Sequence, residues 1–264
     1  MSSGIQERSD VDQIPVAKRP ATSPPPRPQT WLLKVIMAAT GSVFIMFLLF
    51  HLAGNLKVYL PDDPQGHFNE YAHWLRGLLN PLLPGSTFLW IFRGTLVACL
   101  ILHVYSGLTL WIRAHRLRGR HPRKVHATKH HLIGRTMLWS GLIILTFIVF
   151  HLLDLTIGRV VESKQFSTAP TYTLTHGATT TEVTDAYANL IHSFERWPVA
   201  AFYVLVMVVI AFHLSHGIWS IANDFGATAH RVRSLILLLA DIVALVVVIG
   251  NASIPLAVLA GVIA

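Results

Sequence analysis

Fifteen of the 264 residues are histidine, and four of them lie inside long apolar runs: His51, His103, His151 and His213, one per run. The other eleven fall in polar connections or near the ends of runs, apart from His216, three residues after His213. An ionisable side chain inside an apolar span is costly and points to function. Imidazole offers two chemistries there, ligation of a metal through a ring nitrogen and transfer of a proton. A zinc site gathers its histidines closely, often on one helix or loop, and four single histidines on four runs do not have that form. Haem iron needs only two imidazoles on opposite sides of a plate. With both axial positions filled, the iron is suited to electron transfer rather than oxygen binding. A relay of histidines passing protons is the remaining alternative.

The runs that carry these residues are long enough to cross a bilayer, which takes about 20 mostly apolar residues in a helix. Five are present, at 31–59, 88–111, 132–157, 198–221 and 235–264. Hydrophobic residues make up 53% of the chain and charged residues 13%, with a mean hydropathy of +0.52. Ordinary soluble domains carry about 25% charged residues. A disordered chain, a nucleic-acid-binding domain and a typical soluble enzyme are excluded on this ground. Five such runs also leave almost no polar helix faces for a water-soluble bundle. The expected fold is all-α, a polytopic membrane protein with five transmembrane helices over residues 31–264, preceded by a flexible proline-rich tail at 1–30. The tail has no apolar core before a small-residue cleavage site and does not read as a signal peptide. Pro198 suits a first helical turn, whereas Asp241, Asn251 and Pro255 make the fifth run the least regular.

Lysine and arginine near the helix ends set the orientation. Fifteen lie on the side of the amino terminus: Arg8, Lys18, Arg19, Arg27 and Lys34, the eight from Arg113 to Arg135, and Arg231 with Arg233. Six lie on the other side: Lys57, Arg76, Arg93, Arg159, Lys164 and Arg196. The amino terminus is therefore expected in the cytoplasm and the carboxyl terminus outside. The net charge of +8 is then mainly a record of topology, compatible with anionic lipid or an acidic partner at the cytoplasmic face.

Helical rise converts sequence position into depth. His103 lies about 15 Å from the cytoplasmic end, counted to Arg113, and His213 the same distance, counted to Asn223. His51 lies about 25 Å from that end, counted from Lys34, and His151 about 24 Å, counted from Arg135. The four thus form two level pairs, His103 with His213 and His51 with His151, about 10 Å apart. Two bis-histidine haems stacked across the membrane fit this arrangement. A porphyrin plate needs close backbone approach. Gly54, Gly107 and Gly217 follow His51, His103 and His213 by three or four residues, on the same helix faces. Glycines there also serve helix packing alone. His151 has Asp154 in that place. His216 shares the face of His213 but lies about 4.5 Å nearer the cytoplasm, off the level of His103.

The lone cysteine, Cys99, excludes an intramolecular disulfide, a cysteine-ligated iron–sulfur cluster and thioether-attached haem. Two long connections fall outside. In 60–87, residues 65–79 are suited to a short interfacial helix. The other, 158–197, is rich in Thr, Ser and His without periodicity. No internal repeat is clear enough to use.

The words around the four histidines occur in a familiar order: Phe50-His51-Leu52-Ala53-Gly54-Asn55-Leu56, Leu102-His103-Val104-Tyr105-Ser106-Gly107, Phe150-His151-Leu152-Leu153-Asp154 and Phe212-His213-Leu214-Ser215-His216-Gly217-Ile218-Trp219-Ser220. Over about residues 31–260 the chain resembles the single-chain di-haem cytochrome b subunit of succinate:menaquinone oxidoreductases and fumarate reductases. The segment from Gly66 to Leu75 resembles that family's first outer loop.

The resemblance implies a five-helix anchor in a bacterial cytoplasmic membrane, holding two b haems. His103 and His213 would ligate the proximal haem, His51 and His151 the distal one. It implies two cytoplasmic partners, a flavoprotein subunit carrying FAD and an iron–sulfur subunit, and menaquinone as the electron acceptor near the outer face. The chain would then be the quinone-reducing subunit of a succinate dehydrogenase complex, with the dicarboxylate chemistry on another subunit.

Glu70, His73 and Asp154 are the candidates beside the quinone, where an acid exchanges protons with it. Arg93 and Arg196 at the outer ends, with Arg135 and the His130–His131 pair at the inner end, are candidates to neutralise haem propionates. The alternatives are the di-haem anchor of a hydrogenase or formate dehydrogenase, and a non-haem membrane transporter or proton channel. Neither the tail nor the 158–197 connection is needed by the family fold.

Overall fold

The computed structural model describes residues 28–118, 129–157, 171–176, 179–227 and 229–263. Nearly all of the expected tail, and residues 119–128 and 158–170 of the two connections, lie outside the described residues. The chain is mostly helical.

Helix α1 (Thr30–Asn55) is followed by a tighter turn at Leu56–Tyr59. The short α2 (Pro64–Gly77) comes next, then α3 (Thr87–Arg118) and α4 (Lys129–His151). Helix α4 runs into a widened turn at Leu152–Thr156. Strands β1 (Thr171–His176) and β2 (Thr179–Thr184) form an antiparallel hairpin. Helices α5 (Ala186–Phe194), α6 (Trp197–Asp224) and α7 (His230–Leu259) complete the chain. Of these, α1, α3, α4, α6 and α7 are long and apolar enough to cross a membrane, in agreement with the five expected spans.

Local sequence accounts for the helix starts. Asp63 accepts a hydrogen bond from the Gly66 amide at 2.8 Å, and Pro64 occupies the first turn of α2. Asp185 caps α5 in the same way through the Ala188 amide at 2.9 Å. Helix α2 confirms the short helix expected at 65–79.

The hairpin departs from the all-α expectation, and α5 adds a helix where 158–197 shows no periodicity. Threonine-rich strands suit a pleated backbone, but in this hairpin only Leu174 and Val183 are buried hydrophobics. One buried hydrophobic per strand is too little for a period-2 signal.

Helices α1, α3, α4 and α6 form a ring. Helix α1 packs against α3 and α6, and α4 against α6, while α3 and α4 meet loosely. Helix α7 packs outside this ring, mainly along α6 and also on α1. The Ser215 hydroxyl of α6 donates to Asp241 of α7 at 2.6 Å, which accommodates a carboxyl inside an apolar span. Asn55 of α1 donates to Asn251 of α7 at 3.0 Å.

The buried core lies among α6, α7 and α5, with Tyr203, Val206, Met207, Ile210, Val247, Ile191 and Phe194 at its centre. Helix α3 contributes no buried hydrophobic residue among those described; its buried residue is Ser106.

On the side away from the amino terminus, α2, the hairpin and α5 form a cap. Asn69 of α2 is fully buried; it donates to Asp185 at 2.8 Å and accepts from the Tyr187 amide at 3.1 Å. Gln65 donates to the other oxygen of Asp185 at 2.6 Å. The Asp185 carboxylate is thereby solvated by Asn69, Gln65 and the Ala188 amide in place of water. Tyr172 of β1 donates to Asp63 at 3.3 Å and ties the hairpin to α2. Burial raises the Tyr172 and Tyr187 phenols above the ordinary tyrosine range, and the neighbouring carboxylates add to the effect.

Candidate functional site: two histidine pairs in a four-helix ring

The ring places one histidine on each of its helices. His51 of α1 and His151 of α4 form the far pair, away from the amino terminus. Their rings are perpendicular, with centroids 5.8 Å apart. His51 and His151 would be the residues to hold a haem iron at this level, each through a ring nitrogen. Each ring is flanked by the phenylalanine four residues before it. Phe47 stacks on His51 at 5.3 Å and Phe147 tilts against His151 at 5.6 Å.

The widened turn after His151 carries Asp154 to a buried position. There it accepts from Ser193 at 2.5 Å, Arg196 at 2.7 Å and Tyr203 at 3.1 Å. The Tyr203 hydroxyl also lies 3.5 Å from His151 Nδ1. Asp154 and Arg196, expected respectively beside a quinone and beside a propionate, thus meet each other in one ion pair, buried on the carboxylate side. One guanidinium nitrogen of that pair, Arg196 Nη1, is buried without a hydrogen-bond partner.

The other two ring histidines, His103 of α3 and His213 of α6, are the near pair expected from their depths. Each leans on a hydroxyl from a neighbouring helix. His103 Nδ1 lies 3.0 Å from Thr40 Oγ1 of α1, and His213 Nδ1 lies 2.9 Å from Ser140 Oγ of α4. The next residue is glycine in both cases. A Cβ at Gly41 would stand 3.6 Å from His103 Cε1, and a Cβ at Gly141 would stand 3.6 Å from His213 Cε1.

These matched contacts expose a repeat. Met37-Ala38-Ala39-Thr40-Gly41 and Met137-Leu138-Trp139-Ser140-Gly141 each end ten residues before a ring histidine, with Phe47 and Phe147, then Phe50 and Phe150, in between. Helices α1 and α3 are thus matched by α4 and α6. The absence of a usable repeat, expected from sequence, is corrected here. The repeated word is short, and only the contacts show which of its positions matter. Thr40, Ser140, Gly41 and Gly141 were missed for that reason.

The other expected residues are placed as follows. The His216 ring packs on Gly134 of α4, where a Cβ would come within 3.0 Å of Cε1, and beside Trp219 at 5.6 Å; the Ser140 hydroxyl contact goes to His213. Gly54 faces the Tyr71 ring of α2, which occupies the space a side chain would need. Gly107 has Met37 Sδ at 3.8 Å from where its Cβ would stand, and Gly217 faces open space within 4 Å. Glu70 and His73 lie exposed on α2. Arg93 lies over the Trp90 ring, 5.0 Å from its centre. The side chains of Arg135, His130 and His131 fall outside the described ones.

Haem suits this ring on three observations. The four histidines lie within the bundle yet none is fully covered, as expected for side chains lining interior space. A filled four-helix bundle draws apolar core residues from every helix, whereas α3 supplies none that is buried. The Ser106 hydroxyl, one turn after His103, is fully buried and has no hydrogen-bond partner. Among the described residues no group of three or more His, Cys, Asp or Glu is arranged to hold a metal ion. Fold and site together define a class: a five-helix, membrane-type bundle with two stacked histidine pairs. Comparison with protein-family models, curated proteins and solved structures finds no match.

Proposed function

We propose that this chain is the membrane-anchor cytochrome b subunit of a succinate dehydrogenase complex, a succinate:menaquinone oxidoreductase of the bacterial cytoplasmic membrane. The observation that carries the reading is the meeting of His51 and His151, two imidazoles from separate helices with centroids 5.8 Å apart, while His103 and His213 stand on the other two helices of the ring. Haem b held by each pair would supply one-electron transfer.

On this reading the amino-terminal face meets an iron–sulfur subunit, itself bound to an FAD-carrying flavoprotein. Lys34 of α1 and Asp224 of α6 brace that face through an ion pair at 2.8 Å, and Arg113 of α3 holds Thr30 and the Pro28 carbonyl. Menaquinone is reduced near the far face. Glu70 and His73 are exposed there and are placed to exchange protons with solvent. Asp154 is committed to Arg196, Ser193 and Tyr203, so its role is to fix a negative charge and the Tyr203 hydroxyl beside His151.

The test is a reduced-minus-oxidised spectrum with haem quantitation on the purified complex. Two b haems per chain are expected, and an absence of b-type bands would sink the reading in favour of a transporter. Reduction of those bands by succinate, with a flavoprotein and an iron–sulfur protein in the preparation, is the further expectation. Reduction by formate or hydrogen instead would point to the anchor of another quinone-linked dehydrogenase.

A further inference from the structure

We infer that Thr40 and Ser140 are positioning residues for the near pair, holding His103 and His213 in the tautomer with hydrogen on Nδ1 and the lone pair on Nε2. A hydroxyl has one hydrogen to donate. Thr40 spends its own on the main chain of α1, 2.7 Å from the Ile36 carbonyl. Ser140 likewise donates to the Met137 carbonyl, at 3.1 Å. Each oxygen then faces a ring nitrogen as an acceptor, so Nδ1 must carry the hydrogen. Nε2 is left as the metal-binding nitrogen of both rings. An acceptor on the opposite N–H orients an imidazole ligand and makes it more basic.

The repeat makes this a built feature. The same hydroxyl–glycine step, on α1 and on α4, meets a histidine of the neighbouring helix at the same atom. The far pair is built otherwise. His151 Nδ1 is 3.5 Å from Tyr203, whose hydrogen goes to Asp154.

This inference rests on the proposed haem-binding function. Its test uses the whole complex carrying Thr40→Val or Ser140→Ala, with Thr40→Ser and Ser140→Thr as conservative controls. In a redox titration each of the first two should move one haem component to a more positive potential, since a less basic imidazole stabilises ferric iron less. Retention of that haem should fall about tenfold, the second component should keep its potential, and the conservative variants should restore the first. Nitrogen-15 spectra of histidine-labelled, haem-free protein read the tautomer independently. His103 and His213 are expected as Nδ1–H in the parent and as mixed tautomers in the variants. Absence of haem from the parent overturns the proposed function while leaving the nitrogen spectra decisive. Unchanged potentials in a haem-loaded Thr40→Val and Ser140→Ala protein, or Nδ1 found without hydrogen, overturns the inference itself.

Discussion

The imidazoles of His51 and His151 stand at right angles with their centroids 5.8 Å apart, although 100 positions separate them in the chain. Nothing links them locally. They meet because α1 and α4 enter the bundle from the same side and each reaches its histidine after nearly the same length of helix. The same counting brings Phe47 and Phe147 beside them.

If one iron lies between these rings, removing either removes the same group. His51→Ala and His151→Ala should each leave one haem per chain, and the double variant should also leave one. Haem quantitation by alkaline pyridine spectra checks this. Loss of the second haem in the double variant would break the pairing.

The Asp154–Arg196 pair is buried on the carboxylate side, with Asp154 at 5% exposure. Asp154→Asn strands a guanidinium that already has one nitrogen unsatisfied. It should destabilise the far half of the bundle by about 2–3 kcal/mol. The apparent melting temperature in detergent should fall, and adding Arg196→Gln should recover part of the loss. Equal melting temperatures for parent and Asp154→Asn would contradict the observed contacts.

Asn69 holds the cap through Asp185 and the Tyr187 amide. Asn69→Leu removes both bonds and leaves a buried carboxylate short of a donor, at a cost of about 1–3 kcal/mol. Limited proteolysis should then cut the hairpin region faster while haem content stays unchanged. Loss of haem together with the cap would show that the two are not independent.

Gly54 can be separated from the haem question. Gly54→Ala should weaken the seating of α2, because its methyl would run into the Tyr71 ring. Tyr71→Ala should relieve that conflict, and the double variant should fold better than Gly54→Ala alone. A double variant that still loses the far haem would return Gly54 to the role of making room for the plate.

Much of the fold was legible in the sequence. In a bilayer every backbone polar group must be satisfied within its own segment, so an apolar run of sufficient length is a helix wherever it packs. Rise per residue is constant, so the level of a histidine follows from its distance to a polar end. That is why the five spans, the short helix α2 and the pairing of His51 with His151 could be read in advance. The 158–197 connection could not. Its hairpin has one buried hydrophobic on each strand, Leu174 and Val183, and its helix α5 starts at an aspartate whose partners Asn69 and Gln65 lie more than a hundred residues earlier.

By itself, then, the sequence determined axial quantities: which segments are long and apolar enough to span, how far along its run each histidine lies, and that the fifth run, 235–264, carries none. The tertiary structure alone decided azimuth, the direction each side chain faces around its helix and what it meets there. Helix rotation is set by neighbours that are distant in the chain. So only the folded bundle shows Thr40 against His103, Ser140 against His213, Gly54 filled by Tyr71, and Asp154 closed onto Arg196.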